Sequence, residues 1–112
     1  MGISRDELKA FMDAQRVDYG NALPAKVETL EALWTEVQAG TEGKLKEFER
    51  AAHSMYGASG TYGFREVSGH ANTLETLAQE ALESGGGSLT SEQSARIAEA
   101  LRALRLSLPA PP

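Results

Sequence analysis

Leu23, Val27, Leu30, Trp34 and Val37 step along the chain by 4, 3, 4 and 3, and the same rhythm returns in three later stretches. Those are Leu45, Phe48, Ala52, Met55 and Ser59, then Val67, Ala71, Leu74, Ala78 and Ala81, then Ile97, Leu101, Leu104 and Leu108. Residues so spaced fall on one stripe of an α-helix, and each stripe must be buried against another. Four long amphipathic helices with short joints predict an all-α, antiparallel up-down four-helix bundle. Trp34, on the first stripe, is expected in its core.

Local signals divide the chain further. Ser4 followed by Glu7 and Leu8 has the form of a capping box. It predicts an additional short N-terminal helix that ends near Arg16, carries Leu8, Phe11 and Met12 inward and covers one end of the bundle. Asn21 is then the N-cap of the next helix, Pro24 lies in its first turn, and Gly40 closes it. Thr41 is expected to cap the helix after that. Ser59 to Gly63 reads as a turn, Ser84 to Ser88 as a flexible connection, and Thr90 to Gln93 as a second capping box. Residues 1–108 are expected to form a single domain, since 112 residues suffice for one core and are too few for two. Residues 109–112, Pro109 to Pro112, form a proline-rich tail or the start of a linker.

Composition narrows function by exclusion. A formal net charge of -5 argues against a nucleic-acid binder, which needs clustered Lys and Arg. It offers no basic patch to an anionic membrane surface either. With no cysteine, disulfides and thiolate zinc sites are excluded. The two histidines lack the Glu-x-x-His spacing of a metal-binding bundle, because Arg50 and Val67 stand three residues before them; no metal and no cofactor are expected. The first residues lack the apolar stretch of a secretory signal and no run is long enough to span a bilayer, so a cytoplasmic setting is expected; a monomer is expected as well.

His53 is the remaining chemistry. It lies about 100° round the helix from Ala52, off the buried stripe and toward water. Gly57, four residues on, is its neighbour on the same face and leaves a bare patch beside the imidazole. Glycine inside a helix costs about 1 kcal/mol against alanine, a cost consistent with leaving room for an approaching group. An exposed neutral imidazole is a competent nucleophile toward an activated phosphoryl group. No phosphate-cradling loop is present, so the phosphoryl donor must be another protein. His70 has no comparable surroundings and reads as an ordinary helix residue. The charged run from Glu42 to Arg50 reads as a solvated face.

The run Ala52-His53-Ser54-Met55-Tyr56-Gly57-Ala58-Ser59-Gly60, followed by Gly63-Phe64 and later by Leu74-Glu75, resembles the signature of histidine phosphotransfer (HPt) domains. These are helical-bundle modules of two-component phosphorelays. The resemblance implies that His53 is phosphorylated, that Gly57 admits the aspartyl phosphate of a response-regulator receiver domain, and that Gly60 and Gly63 belong to the small-residue turn. It implies partners among receiver domains, sensor histidine kinases or both, with the receiver supplying the metal ion. It also implies a phosphoryl carrier without kinase activity of its own. Tyr56 departs from the pattern, which usually has Lys or Arg three residues after the histidine. Arg50, three residues before it on the same face, is the nearest substitute cation. The rival expectation is a degenerate docking or adaptor module that binds a partner without being phosphorylated.

Overall fold

The computed structural model describes residues 2–85 and 88–110, and its regular elements are four α-helices. They are α1 (Arg5–Gln38), α2 (Lys44–Thr61), α3 (Arg65–Glu83) and α4 (Ser91–Leu106). No strand occurs among the described residues. The middle of the Ser84–Ser88 connection and the last two residues of the proline-rich tail lie outside them.

The four expected stripes are inside, except that Val37 and Leu108 at the ends of theirs are only partly buried. Leu23, Val27, Leu30 and Trp34 of α1 meet Phe48, Ala52 and Met55 of α2, Val67, Ala71, Leu74 and Ala78 of α3, and Ile97, Leu101 and Leu104 of α4. The Trp34 and Phe48 rings lie 5.9 Å apart and tilted, an arrangement aromatic pairs favour. Thr90 and Gln93 form the complete reciprocal capping box that opens α4. The reversal from α2 to α3 turns on Gly63, whose φ of 82° is a left-handed conformation that only glycine adopts without cost.

The N-terminal region differs from expectation. The separate short helix does not exist: α1 is continuous over 34 residues, and Asn21 and Pro24 lie in its interior. Ser4 does cap it, accepting the Glu7 backbone N–H at 3.0 Å. Pro24 cannot donate to the Gly20 carbonyl, a defect costing about 3 kcal/mol in a helix interior. Burial of Leu23 and Val27 on either side offsets it. So do the contacts of α1 with the far end of α2. Tyr19 and Ser59 share a hydrogen bond of 3.1 Å, and Arg16 donates to the Tyr62 carbonyl at 3.0 Å. Gly20 lets the Phe64 ring approach, since a Cβ there would stand 3.0 Å from it.

At 1.5 Å per residue α1 is about 50 Å long, roughly twice the length of α4. Its first turns therefore project past the other helices along the 55 Å axis of the molecule. Leu8, Phe11 and Met12 are 49%, 56% and 46% exposed, not turned inward, because no other helix lies beside them. Two smaller expectations change as well. Gly43, not Thr41, is the N-cap of α2, and α2 runs through Ser59 and Gly60 to Thr61 before the chain turns.

A bidentate ion pair ties α1 to α4, with Arg105 Nε and Nη2 donating to the Glu31 carboxylate at 2.7 and 2.6 Å. The hydrogen bonds from Arg105 hold the Glu31 carboxyl below its ordinary value of 4.5. A depressed carboxyl stabilises the fold fully above its unfolded pKa and loses that contribution as pH falls through the folded value. Thermal unfolding followed by circular dichroism should therefore show wild type losing stability below about pH 4.5 more steeply than Arg105→Met. Phe48→Ala, at a fully buried ring, should cost about 3–5 kcal/mol in denaturant unfolding. Leu8→Ala with Met12→Ala should cost under about 1 kcal/mol, because neither side chain is buried.

Candidate functional site

His53 sits near the middle of α2 on its outer face, with 68% of its side chain exposed. Ala52 beside it is fully buried, so the turn between these neighbours separates core from solvent. Its Nδ1 lies 2.5 Å from Oε2 of Glu75, which α3 supplies and which is only 10% exposed. In the Nδ1–H tautomer the ring donates to that carboxylate. Nε2 is then left with its lone pair on the ring edge away from Glu75.

The register that brings the two together is fixed on both sides. One turn before His53, Glu49 accepts a hydrogen bond of 3.3 Å from Gln79, one turn beyond Glu75. Near the other end of α2, Ser68 of α3 donates to the Tyr56 carbonyl at 3.0 Å. Glu49 is thus buried rather than part of a solvated face, with Lys46 3.9 Å from its other oxygen.

The other candidate residues surround the imidazole without all touching it. A Cβ built on Gly57 meets nothing within 4 Å, so the space beside His53 is open. Gly60 has a packing role instead, because a Cβ there would come 3.3 Å from Ser68 Oγ, the group that bonds Tyr56. Arg50 is exposed and forms no ion pair among the described residues. Tyr56 is 40% exposed, one turn beyond His53. On the opposite flank of α2, Lys26, Thr29, Ala51, Ser54 and Ala58 line a groove of about 330 Å³ shared with α1. His70 lines a different groove, between α3 and α4. Among the described residues no group of three or more His, Cys, Asp or Glu is placed to hold a metal ion.

Glu75 is the site residue that sequence reasoning did not connect to His53. A signal was present: Glu75 stands four residues after Ala71 and three before Ala78, both fully buried. A carboxylate at that position of a buried stripe requires a polar partner. Nothing in the sequence named the partner, which depends on the α2–α3 register.

The family model of the Hpt domain matches residues 16–107, and the chain belongs to that family. No curated protein and no solved structure matches it significantly. Hpt domains are phosphocarriers of phosphorelays that work with receiver and kinase partners, and their fold is a helical bundle. The matched span leaves out the projecting first turns of α1. No helix among the described residues is long and apolar enough to cross a membrane.

The open space at Gly57 separates two effects of substitution. Gly57→Ala should raise stability by about 0.5–1 kcal/mol through helix propensity, read by denaturant unfolding. Gly57→Gln should fold equally well and lower the rate of phosphoryl transfer to the domain at least several-fold, read in a transfer time course.

Proposed function

We propose that His53 is the phosphoacceptor of this domain and that its Nε2 takes a phosphoryl group from the aspartyl phosphate of a receiver domain, or from a partner kinase, and passes it to another receiver. The observation that carries this reading is the combination at one ring. The imidazole is outward, Nδ1 is held by Glu75, and the adjacent helix face is bare at Gly57. A rigid helix fixes where Nε2 points, which is the condition for in-line transfer between two proteins that meet briefly. Arg50, exposed on α2 three residues before His53, is the cation offered to the incoming phosphoryl group, and Gly60 supports the surface by its fit against Ser68. Residues 1–108 act as one domain, residues 109–112 as tail or linker, and the setting is the cytoplasm.

A second reading rests on Tyr56. Where the family signature usually has a cation, this chain presents a half-exposed aromatic ring, a residue type enriched at protein interfaces. In that reading the domain docks a receiver without accepting phosphate.

Incubation with a phosphorylated receiver domain decides between them. Under the carrier reading, wild type acquires acid-labile, alkali-stable phosphate, and His53→Gln acquires none while keeping its helical circular dichroism and its binding to the receiver. Binding without label on the wild type supports the adaptor.

A further inference from the structure

Exposed apolar side chains gather at one end of the molecule. Among the described residues, Ile3, Leu8, Phe11, Met12 and Val17 belong to the first half of α1 or to the chain before it, and Leu106 ends α4 close by. The one large exposed apolar residue elsewhere is Tyr56. Leu8, Phe11, Met12 and Gln15 recur at helical spacing and share one face. Tyr19 lies on the same face and turns toward Ser59 near the end of α2. The stripe therefore overhangs the end of the bundle, beyond the point where α2 stops and α3 begins, and no described residue buries it. We infer that its occupant is a second copy of this chain. Two projecting ends pack antiparallel, stripe against stripe, each filling the space beyond the end of the other's α2, and so form a two-fold dimer. A monomer suits a stripe turned inward, and the exposed stripe is the reason to depart from it. The inference does not depend on whether His53 is phosphorylated.

Distance sets the phosphorelay partner aside as the occupant. Tyr19 stands level with Ser59, so His53 stands level with Ala25 or Lys26 of the antiparallel α1. From there Met12 and Leu8 are roughly 20–25 Å away along the axis. A domain of about 100 residues has a radius of gyration of about 13 Å, and centred on the His53 ring its body ends short of Leu8.

Charge permits two ends to meet. The whole chain carries -5, whereas Arg5, Lys9 and Arg16 nearly balance Asp6, Glu7, Asp13 and Asp18 along this segment. Two such segments approach without the repulsion that two copies meet elsewhere on their surfaces. Area then sets the strength. Two-fold pairing makes every contact twice. Burial of Leu8, Phe11 and Met12 on both copies, with the side chains flanking them, gives on the order of 1,000 Å², the lower limit for a specific interface. The dimer is accordingly reversible and not obligate. It leaves both His53 rings open, since each faces solvent from the side of α2 and not from its end.

Sedimentation velocity of the full chain between about 1 and 500 µM tests the inference. The mass should rise from one chain to two, with a midpoint on the order of tens of micromolar. Phe11→Asp should raise that midpoint at least tenfold and keep the helical circular dichroism of wild type, because the ring is already exposed in the single chain. Val17→Asp makes the same change of charge at an exposed position on the opposite face of α1 from Leu8, and should dimerise like wild type. Hydrogen exchange of the amides before Arg16 should slow as concentration rises through the midpoint. A single chain at every concentration would overturn the inference. Equal loss of dimer in the two variants would overturn it as well, by placing the contact on another face. Self-association unchanged by Phe11→Asp, with binding to a receiver domain weakened, would assign the stripe to the relay partner and overturn it too.

Discussion

The antiparallel register between α2 and α3 is the constraint on which the His53 site depends. Stepping back four residues along α2, from His53 to Glu49, advances four along α3, from Glu75 to Gln79. Both pairs form only at that one setting. Sliding either helix by a turn would leave two buried carboxylates without partners, each a loss of roughly 1–3 kcal/mol or more. Gly63 limits such sliding by closing the connection in very few residues, with Phe64 N–H donating back to the Ser59 carbonyl at 2.8 Å. The imidazole is therefore positioned by the packing of the bundle and not by α2 alone.

The rest of the molecule supports that pair of helices. Trp34 and Leu30 of α1 and Ile97 and Leu104 of α4 fill the space behind Ala52 and Leu74. This holds a polar, exposed site on a dry and closely packed backing. Packing of this density permits little local adjustment, so an incoming partner meets a nearly fixed Nε2. The open volume beside Gly57 is a deliberate contrast to that backing.

The buried stripes were legible because period alone defines them, and every seam residue named for α2 and α3 is buried. His53 was legible as an outward residue for the same reason, being one residue off its seam. The path of the chain before Tyr19 was not legible. Asn21 and Pro24 are local signals for the start of a new helix, and what overrules them is tertiary: Tyr19 against Ser59, Arg16 against Tyr62, Phe64 against Gly20. Leu8, Phe11 and Met12 show the complementary failure, since their spacing is that of a buried stripe although no helix lies beside them. Glu75 was visible as a carboxylate on a buried stripe, but its role required knowing which residue of α2 stood opposite.

The length of α1 gives that helix two thermodynamic halves. From Leu23 onward its amides can open only when the core opens, so their hydrogen exchange reports global unfolding. Before Arg16 they are guarded by little beyond the Ser4 cap and the helix's own ladder, and open by fraying at far lower free energy. One unbroken helix thus combines a rigid rod inside the bundle with a loosely held end outside it, and the border falls where Arg16 and Tyr19 grip the end of α2.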